Sequence, residues 1–404
     1  MPETVMKQEV DELAIFGGTP AFAEKLHVGR PNIGNRERLL ERINDLLDRR
    51  WLTNDGPYVQ QLERDLADFL GVKHCIAMCN ATVALEITIR AAGLSGEVII
   101  PSFTFIATAH ALQWQKVTPV FCDIDPHDHM IDPSRVEELI TPRTSGIIGV
   151  HLWGQPCNTD ALAEIANRHK LRLMFDAAHG LACSHNGRML GSFGDAEVFS
   201  FHATKFFNTF EGGAVTTNDD ELAARIRLMK NFGFSGYDNV IYIGINGKMS
   251  ELSAVMGLTG LESLDDFVSV NRRNYHQYQT EMANVPGTRM LRFDEREQSN
   301  YQYIVLEIDE SVTRVSRDQL LKILWAEKVI ARRYFYPGCH RMEPYRSYFP
   351  QARLLLPETE KLVKRVLVLP TGTAVDVEQI TAIGQVMRLV VSHGEEVSGR
   401  LSAV

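Results

Sequence analysis

The chain has 404 residues, 45% hydrophobic and 23% charged, with 42 Lys+Arg against 51 Asp+Glu and a formal net charge of −9. This apolar share can bury a core, which excludes whole-chain disorder, and the length suits two folding units or one large unit with a smaller partner. An acidic balance disfavours nucleic-acid binding, which needs a basic excess to displace phosphate counterions, and no apolar run approaches the ~18 residues that span a bilayer.

The opening MPETVMKQEVDEL is acidic and has no apolar h-region, so a secretory signal is not expected. The cysteines at 75, 79, 122, 157, 183 and 339 form no C-x-x-C pair and no zinc spacing. Reduced thiols in a cytoplasmic protein are expected. Residues 1–35, punctuated by GGTP and GRPNIGN, read as an arm. RERLLERINDLLDRR then places Leu39, Leu40, Ile43, Leu46 and Leu47 on one helical face. A second amphipathic helix follows Gly56-Pro57, with Val59, Leu62, Leu66 and Phe69.

From residue 74 the pattern alternates. HCIAMC is a strand, and NATVALEITIRAAG a helix capped by Asn80 and stopped by Gly93. EVIIP, PVFCDID and GIIGVHL are strands followed by helices near 105–115, after Asp132-Pro133 and near Asn158; LRLMFD, AEVFSF and GAVTTN are three more strands. Continuous apolar runs, rather than alternating ones, indicate a sheet covered on both faces. Strand–helix alternation predicts a mostly parallel α/β sheet. Helices over MSELSAVMGLTGLESL and DDFVSVNRRNYHQYQTEMANV follow, then QYIVLEI, a helix near 316–328, VIARRYF, VLVLPTG and a final helix VEQITAIGQVMRLVV. The expected division is an arm over 1–35, a large domain over 36–268 and a smaller C-terminal α/β domain over 269–404.

Three loops leave the carboxyl ends of predicted strands, where an open α/β sheet places its ligand. Lys205 follows a buried strand among Phe199, Phe201, Phe206 and Phe207. Desolvation lowers a lysine pKa and frees a nucleophilic amine; taken alone, Lys205 reads more readily as a surface lysine at a loop tip. Asp176 ends LRLMFD and needs a partner, which the protonated ring nitrogen of pyridoxal phosphate would be; a helix cap or a structural salt bridge competes. Asn80-Ala81-Thr82 opens a helix, whose free N–H groups favour a phosphate; a plain N-cap competes. Ser200 offers another hydroxyl, and Phe105 an aromatic cover over a flat ring or an ordinary core residue. Lysine, carboxylate, phosphate turn and aromatic together describe a pyridoxal-phosphate site.

The stretches WLTNDGPYVQQLE, CNATVALEI, PSFTFIATAHAL, GVHLWGQPC, FDAAHG, SFHATKFFNTFEGGAVTTND and GINGKMSELSAVMG resemble the DegT/StrS family of nucleotide-sugar aminotransferases, over nearly the whole chain. The branch they look most like aminates C4 of dTDP-4-keto-6-deoxy-D-glucose. The resemblance implies a fold-type I, aspartate-aminotransferase-like architecture and pyridoxal 5′-phosphate as cofactor. It implies L-glutamate as donor, a dTDP-sugar as acceptor, and a homodimer with shared active sites, with neither nucleic acid nor membrane as partner. By position, Lys205 matches the cofactor-bonding lysine and Asp176 the pyridinium partner. His179 matches a residue beside the reacting carbon, Phe105 the stacking aromatic, and Ala81, Thr82 and Ser200 the phosphate contacts. Asn246 matches a residue reaching the partner subunit's cofactor phosphate, and Lys248 one near the substrate diphosphate. Thr53, Tyr334 and His340 match sugar-nucleotide contacts. A relative with His in place of the lysine would dehydrate instead, and Lys205 argues for transamination. Amination at C3 and a non-catalytic regulatory protein on the same fold are the alternatives. A Rossmann dehydrogenase is excluded because CNATVA replaces the G-x-G-x-x-G after the first strand.

Overall fold

The computed structural model describes residues 4–402. The apolar runs between residues 74 and 217 form one seven-stranded sheet: β1 (His74–Met78), β2 (Glu97–Pro101), β3 (Thr118–Cys122), β4 (Thr144–Val150), β5 (Arg172–Asp176), β6 (Ala196–Ser200) and β7 (Gly213–Thr217). In space the order is β1-β7-β6-β5-β4-β2-β3, parallel throughout except for β7, which is antiparallel to both neighbours. Every residue of β2 and of β7 is buried, as the unbroken apolar runs require when helices cover both faces.

The helices obey their local signals. Asn35 caps α1 (Arg36–Arg49) by accepting the Arg38 N–H. Leu39 and Leu46 are buried, but Leu40 and Leu47 of the expected stripe remain 48% and 59% exposed, because the helix presents only a narrow seam to its neighbours. Phe69 likewise faces out of α2 (Pro57–Leu70), and Leu70 takes the buried place. Gly56 offers α2 no side-chain cap; instead the fully buried Glu251 carboxylate accepts the Tyr58 and Val59 N–H groups, each at 2.9 Å. That charge sits where the helix dipole is positive. Asn80 caps α3 (Ala81–Ala91) through the Val83 N–H. The helix α4 (Ile106–Trp114) follows β2, and α5 (Thr159–His169) follows β4. A helix missing from the sequence reading, α6 (Asp220–Met229), is capped by Asp219 and buries Leu222, Ala223, Ile226 and Met229.

After α7 (Glu251–Glu262) comes α8 (Leu264–Met282). The division expected after residue 268 falls inside α8. Leu264 and Phe267 belong to the core beside the large sheet, whereas Tyr275, Tyr278 and Met282 belong to a second core. That core lies under a three-stranded antiparallel sheet of β8 (Thr288–Met290), β9 (Ile304–Ile308) and β10 (Val366–Leu369), flanked by α9 (Arg317–Ala326) and α10 (Val377–Ser392). A last helix, α11 (Gly394–Ser402), follows where no helix was expected. Of the predicted strand VIARRYF only Val329–Ile330 forms, paired in parallel with Leu26–His27. The N-terminal arm is thus built in: Leu13, Ala21 and Phe22 enter the second core, and the buried Glu327 carboxylate accepts the Ala14 and Ala21 N–H groups at 2.6 and 2.7 Å. Among the described residues no helix is long and apolar enough to cross a membrane.

At the sheet edge the buried Glu63 of α2 joins three elements. It accepts the Ala77 N–H at 2.8 Å, the Lys230 ammonium at 3.0 Å and the Arg227 guanidinium at 2.7 Å. Removing one partner leaves Lys230, 6% exposed, as an uncompensated buried charge. Chemical denaturation of Glu63→Gln is expected to show a loss of about 3–5 kcal/mol; a loss below about 1 kcal/mol would show that the cluster is solvated.

Candidate active site

Strand register collects the functional loops. Gly213, the first residue of β7, pairs with Met78 at the end of β1 on one side and with Ser200 at the end of β6 on the other. Asp176, the last residue of β5, pairs with Val198 of β6. One antiparallel strand therefore keeps the carboxyl ends of β1 and β6 level, beside that of β5. Only glycine serves at position 213: a Cβ there would lie 2.7 Å from the Phe199 carbonyl oxygen and 2.8 Å from the Ala81 nitrogen, both backbone atoms. The close approach lets the first turn of α3 lie directly against the sheet end.

Over these ends opens a cavity of about 650 Å³. Its walls include Ala81 and Thr82 from α3, Phe105 ahead of α4, Asp176 and His179 after β5, Ser200 and Lys205 after β6, and Tyr303, Tyr334 and Phe335 from the C-terminal half. Eight of the residues singled out in the sequence thus meet in one place. Phe105 is 59% exposed, an unusual state for a phenylalanine on a core-facing loop and one suited to covering a ligand.

Asp176 is buried with only neutral partners: Thr108 donates to Oδ2 at 2.7 Å and the Ala178 N–H to Oδ1 at 3.1 Å. Burial raises its pKa, against the opposing effects of Thr108, the Ala178 N–H and the Lys205 charge. A carboxylate so placed is stabilised by any cation entering the cavity. Burial pulls the Lys205 ammonium down to about 8, partly offset by Asp176. A substantial fraction of its amine is then neutral and nucleophilic near neutral pH.

A hydrogen-bonded line backs the lysine. Lys205 Nζ donates to the Tyr303 hydroxyl at 3.3 Å, which lies 3.1 Å from His179 Nε2. His179 Nδ1 accepts the Trp153 N–H at 3.1 Å, so the neutral ring carries its proton on Nε2 and donates it to Tyr303. Burial, and secondarily Lys205, hold the His179 pKa well below the usual histidine range, which keeps the ring in that tautomer. Tyr303 and Thr108 were not anticipated. Thr108 sits one turn beyond Phe105, so helical spacing offered a signal. Tyr303 lies in the segment leading into β9 and reaches the site only by docking of the two halves.

Four expected residues lie elsewhere within the chain. His340 is buried with both ring nitrogens engaged, Nδ1 with Ser102 Oγ at 2.7 Å and Nε2 with Glu360 at 2.7 Å, and it does not line the cavity. It ties the end of β2 to the C-terminal half, a direction that chain position cannot reveal. Thr53 is exposed in the loop before α2. Asn246 is exposed, and Lys248 donates to Asn231 at 3.0 Å and lies 4.8 Å over the Phe232 ring. Both stand on a segment that runs past Cys79, whose N–H donates to the Gly247 carbonyl at 2.8 Å.

The family model of the DegT/DnrJ/EryC1/StrS aminotransferases matches residues 34–388. A dTDP-4-amino-4,6-dideoxy-D-glucose transaminase from Shigella dysenteriae is 38% identical over 320 residues, 79% of this chain and 87% of that protein. The Escherichia coli protein of the same name is 33% identical over 363 residues, 89% of this chain and 97% of that one. Among solved structures, DesI, determined in the presence of its TDP-sugar product, superposes with a TM-score of 0.93 at 50% identity, covering 97% of this chain and 100% of that chain.

The lysine pKa yields a direct expectation. In cofactor-free protein, competitive acylation read by mass spectrometry of the Lys205 peptide should rise with pH and reach half its plateau at about 8. A midpoint near 10.5, the ordinary lysine value, would mean that burial does not depress this amine.

Proposed function

The chain belongs to the DegT/DnrJ/EryC1/StrS aminotransferase family, and from that premise we propose that it transfers the amino group of L-glutamate to C4 of dTDP-4-keto-6-deoxy-D-glucose, giving dTDP-4-amino-4,6-dideoxy-D-glucose and 2-oxoglutarate. It is a sugar aminotransferase that uses pyridoxal 5′-phosphate on a fold-type I framework. The observation that carries the choice of substrate is the 50% identity with DesI over 97% of the chain, joined by the two transaminases at 38% and 33%. Amination at C3 is the competing outcome.

The cavity suits the cofactor on its own chemistry. Asp176 is a buried carboxylate without a cationic partner among the described residues, as a protonated pyridine nitrogen requires. Ala81 and Thr82 at the start of α3, with Ser200, supply donors where a helix end favours a phosphate. Phe105 and His179 line the space for the flat ring. Bound there, pyridoxal phosphate supplies a carbonyl carbon that accepts the amino group from one substrate and delivers it to the next, its ring acting as electron sink. Lys205 Nζ is the group placed to move a proton to and from the substrate carbon that bears the nitrogen. Neutral, it accepts that proton; as ammonium, it returns it. Tyr303 holds Nζ in position between these events, and His179 fixes Tyr303 from behind.

The reading includes a homodimer in which each site is completed by the partner. Phe232, Phe234, Val240, Ile241, Ile243 and Ile245 are all exposed, Ile243 to 74%, on the segment that carries Asn246 and Lys248. A contiguous apolar patch of this kind is a docking surface, and an amide and an ammonium within it suit phosphate and diphosphate oxygens. A cytoplasmic location agrees with six cysteines free of disulfides.

Incubation of the purified protein with dTDP-4-keto-6-deoxy-D-glucose and L-glutamate should release 2-oxoglutarate and an amino sugar whose nitrogen NMR places on C4. Nitrogen on C3 would overturn the regiochemistry. Turnover by Lys205→Ala should fall by about 10²–10⁴-fold, the usual worth of a positioned acid–base group. The dimer is tested by mixing. Subunits of Lys205→Ala and Asn246→Ala, exchanged under mild dissociation, should yield heterodimers with one site carrying both lesions and one carrying neither. Activity then recovers toward half of wild type per dimer. Heterodimers seen by native mass spectrometry without recovery would show that Asn246 serves its own subunit.

A further inference from the structure

A second, smaller cavity of about 150 Å³ adjoins the first and shares Thr204, Tyr303 and Tyr334 with it. Thr204 is the chain neighbour of Lys205, and the Tyr303 hydroxyl accepts from the Lys205 amine, so the shared wall stands next to the reacting nitrogen. Most polar groups lining the small cavity are already committed. Asn32 donates to the Phe206 carbonyl and accepts from Thr373, both at 2.9 Å. Gln302 accepts the Phe206 N–H at 3.1 Å, and Asn271 donates to the Asn300 carbonyl at 2.9 Å.

Three groups are left over. The Thr371 hydroxyl is 3% exposed and has no hydrogen-bond partner among the described residues. Arg30 and Arg332 line the same cavity, and neither has a carboxylate within 4.0 Å among the described residues. Both arginines are exposed overall, so the hollow they border opens to solvent on their side. The backbone of Arg332 is pinned to β10 by reciprocal bonds with Val368 of 2.9 and 2.8 Å, which sets its side chain on the same strand end as Thr371. Guanidinium forks and a hydroxyl form a carboxylate or phosphate site. The hollow is well below the about 300 Å³ of the smallest pockets that enclose a drug-sized ligand, so a whole nucleoside diphosphate does not enter it, and the carboxylate of a small donor does.

We propose that this cavity receives the side-chain carboxylate of the dicarboxylic amino donor, held by Arg332 and Arg30 with Thr371 as a third partner. The inference rests on the glutamate reading above. A donor's α-carboxylate is bonded to the reacting carbon and stays beside Lys205. Its side-chain carboxylate, two methylenes farther away, is the group able to pass the rim of Thr204, Tyr303 and Tyr334. The site thus selects glutamate over donors with an apolar or shorter side chain.

The test uses the holoenzyme and glutarate, a dicarboxylate with neither amine nor keto group. Calorimetry should show glutarate bound by wild type and weakened at least about tenfold in Arg332→Ala and in Arg30→Ala, with a loss of a few-fold in Thr371→Val. Affinity for dTDP should stay as in wild type, and the KM for glutamate should rise far more than kcat falls. Glutarate affinity unchanged in both arginine variants, or a loss of dTDP affinity in its place, would overturn the subsite. The donor reading is checked separately in the wild-type protein. If glutamate gives no 2-oxoglutarate, the donor assignment itself fails. If 2-oxoglutarate forms but the arginine variants bind glutarate normally, only the subsite fails.

Discussion

The register of one antiparallel strand is the constraint on which the site depends. β7 lies between β1 and β6 with Gly213 level with the last residue of each. A parallel strand there would need a long crossover and would end at the same edge as its neighbours. The antiparallel one begins at that edge, so its short connection to β6 carries both Lys205 and Gly212-Gly213. The missing side chain at Gly213 then admits the start of α3. Helix end, lysine loop and the end of β5 are consequences of a single pairing pattern, and none of them needs to be flexible to form the site.

Burial gives that geometry its chemistry. Asp176 and Lys205 are displaced from their ordinary pKa values in opposite directions, and the largest cause in both cases is desolvation. Each charge also favours the charged form of the other, against that desolvation. The desolvating wall is not supplied by the large sheet alone. Tyr303, Tyr334 and Phe335 come from the C-terminal half, which α8, running through both cores, and the built-in N-terminal arm hold against the sheet. His340 adds a further tie through Ser102 and Glu360. Residues that looked like ligand contacts, or like a free arm, therefore contribute by keeping the halves in register.

The unpaired groups of the molecule point to its partners. An apolar segment around Ile243 stays exposed beside Asn246 and Lys248. Two guanidiniums without carboxylates border the small hollow that adjoins the lysine's cavity. A buried hydroxyl without a partner and an exposed apolar segment are the places where a substrate or another subunit makes the missing contacts.

The α/β class, the seven strands of the main sheet and the loops bearing Asn80, Asp176 and Lys205 were legible in the sequence, because unbroken apolar runs, Asn and Asp caps and glycine stops act over a few residues. The helix at 220–229 was legible too, in the spacing of Leu222, Ile226 and Met229, but was not read. Other features were not available to any local pattern. The direction of β7 depends on Gly213 pairing with residues 13 and 135 positions away, Ser200 and Met78. The fate of Leu40 and Leu47, the engagement of His340, the arrival of Tyr303 beside Lys205 and that of Arg30 and Arg332 at the adjoining hollow depend on how whole elements pack. Local sequence determines which residues can carry the chemistry, since desolvation and capping act at short range. Tertiary structure alone decides which of them share a cavity, because contacts between distant segments are set by packing of whole elements and not by spacing along the chain.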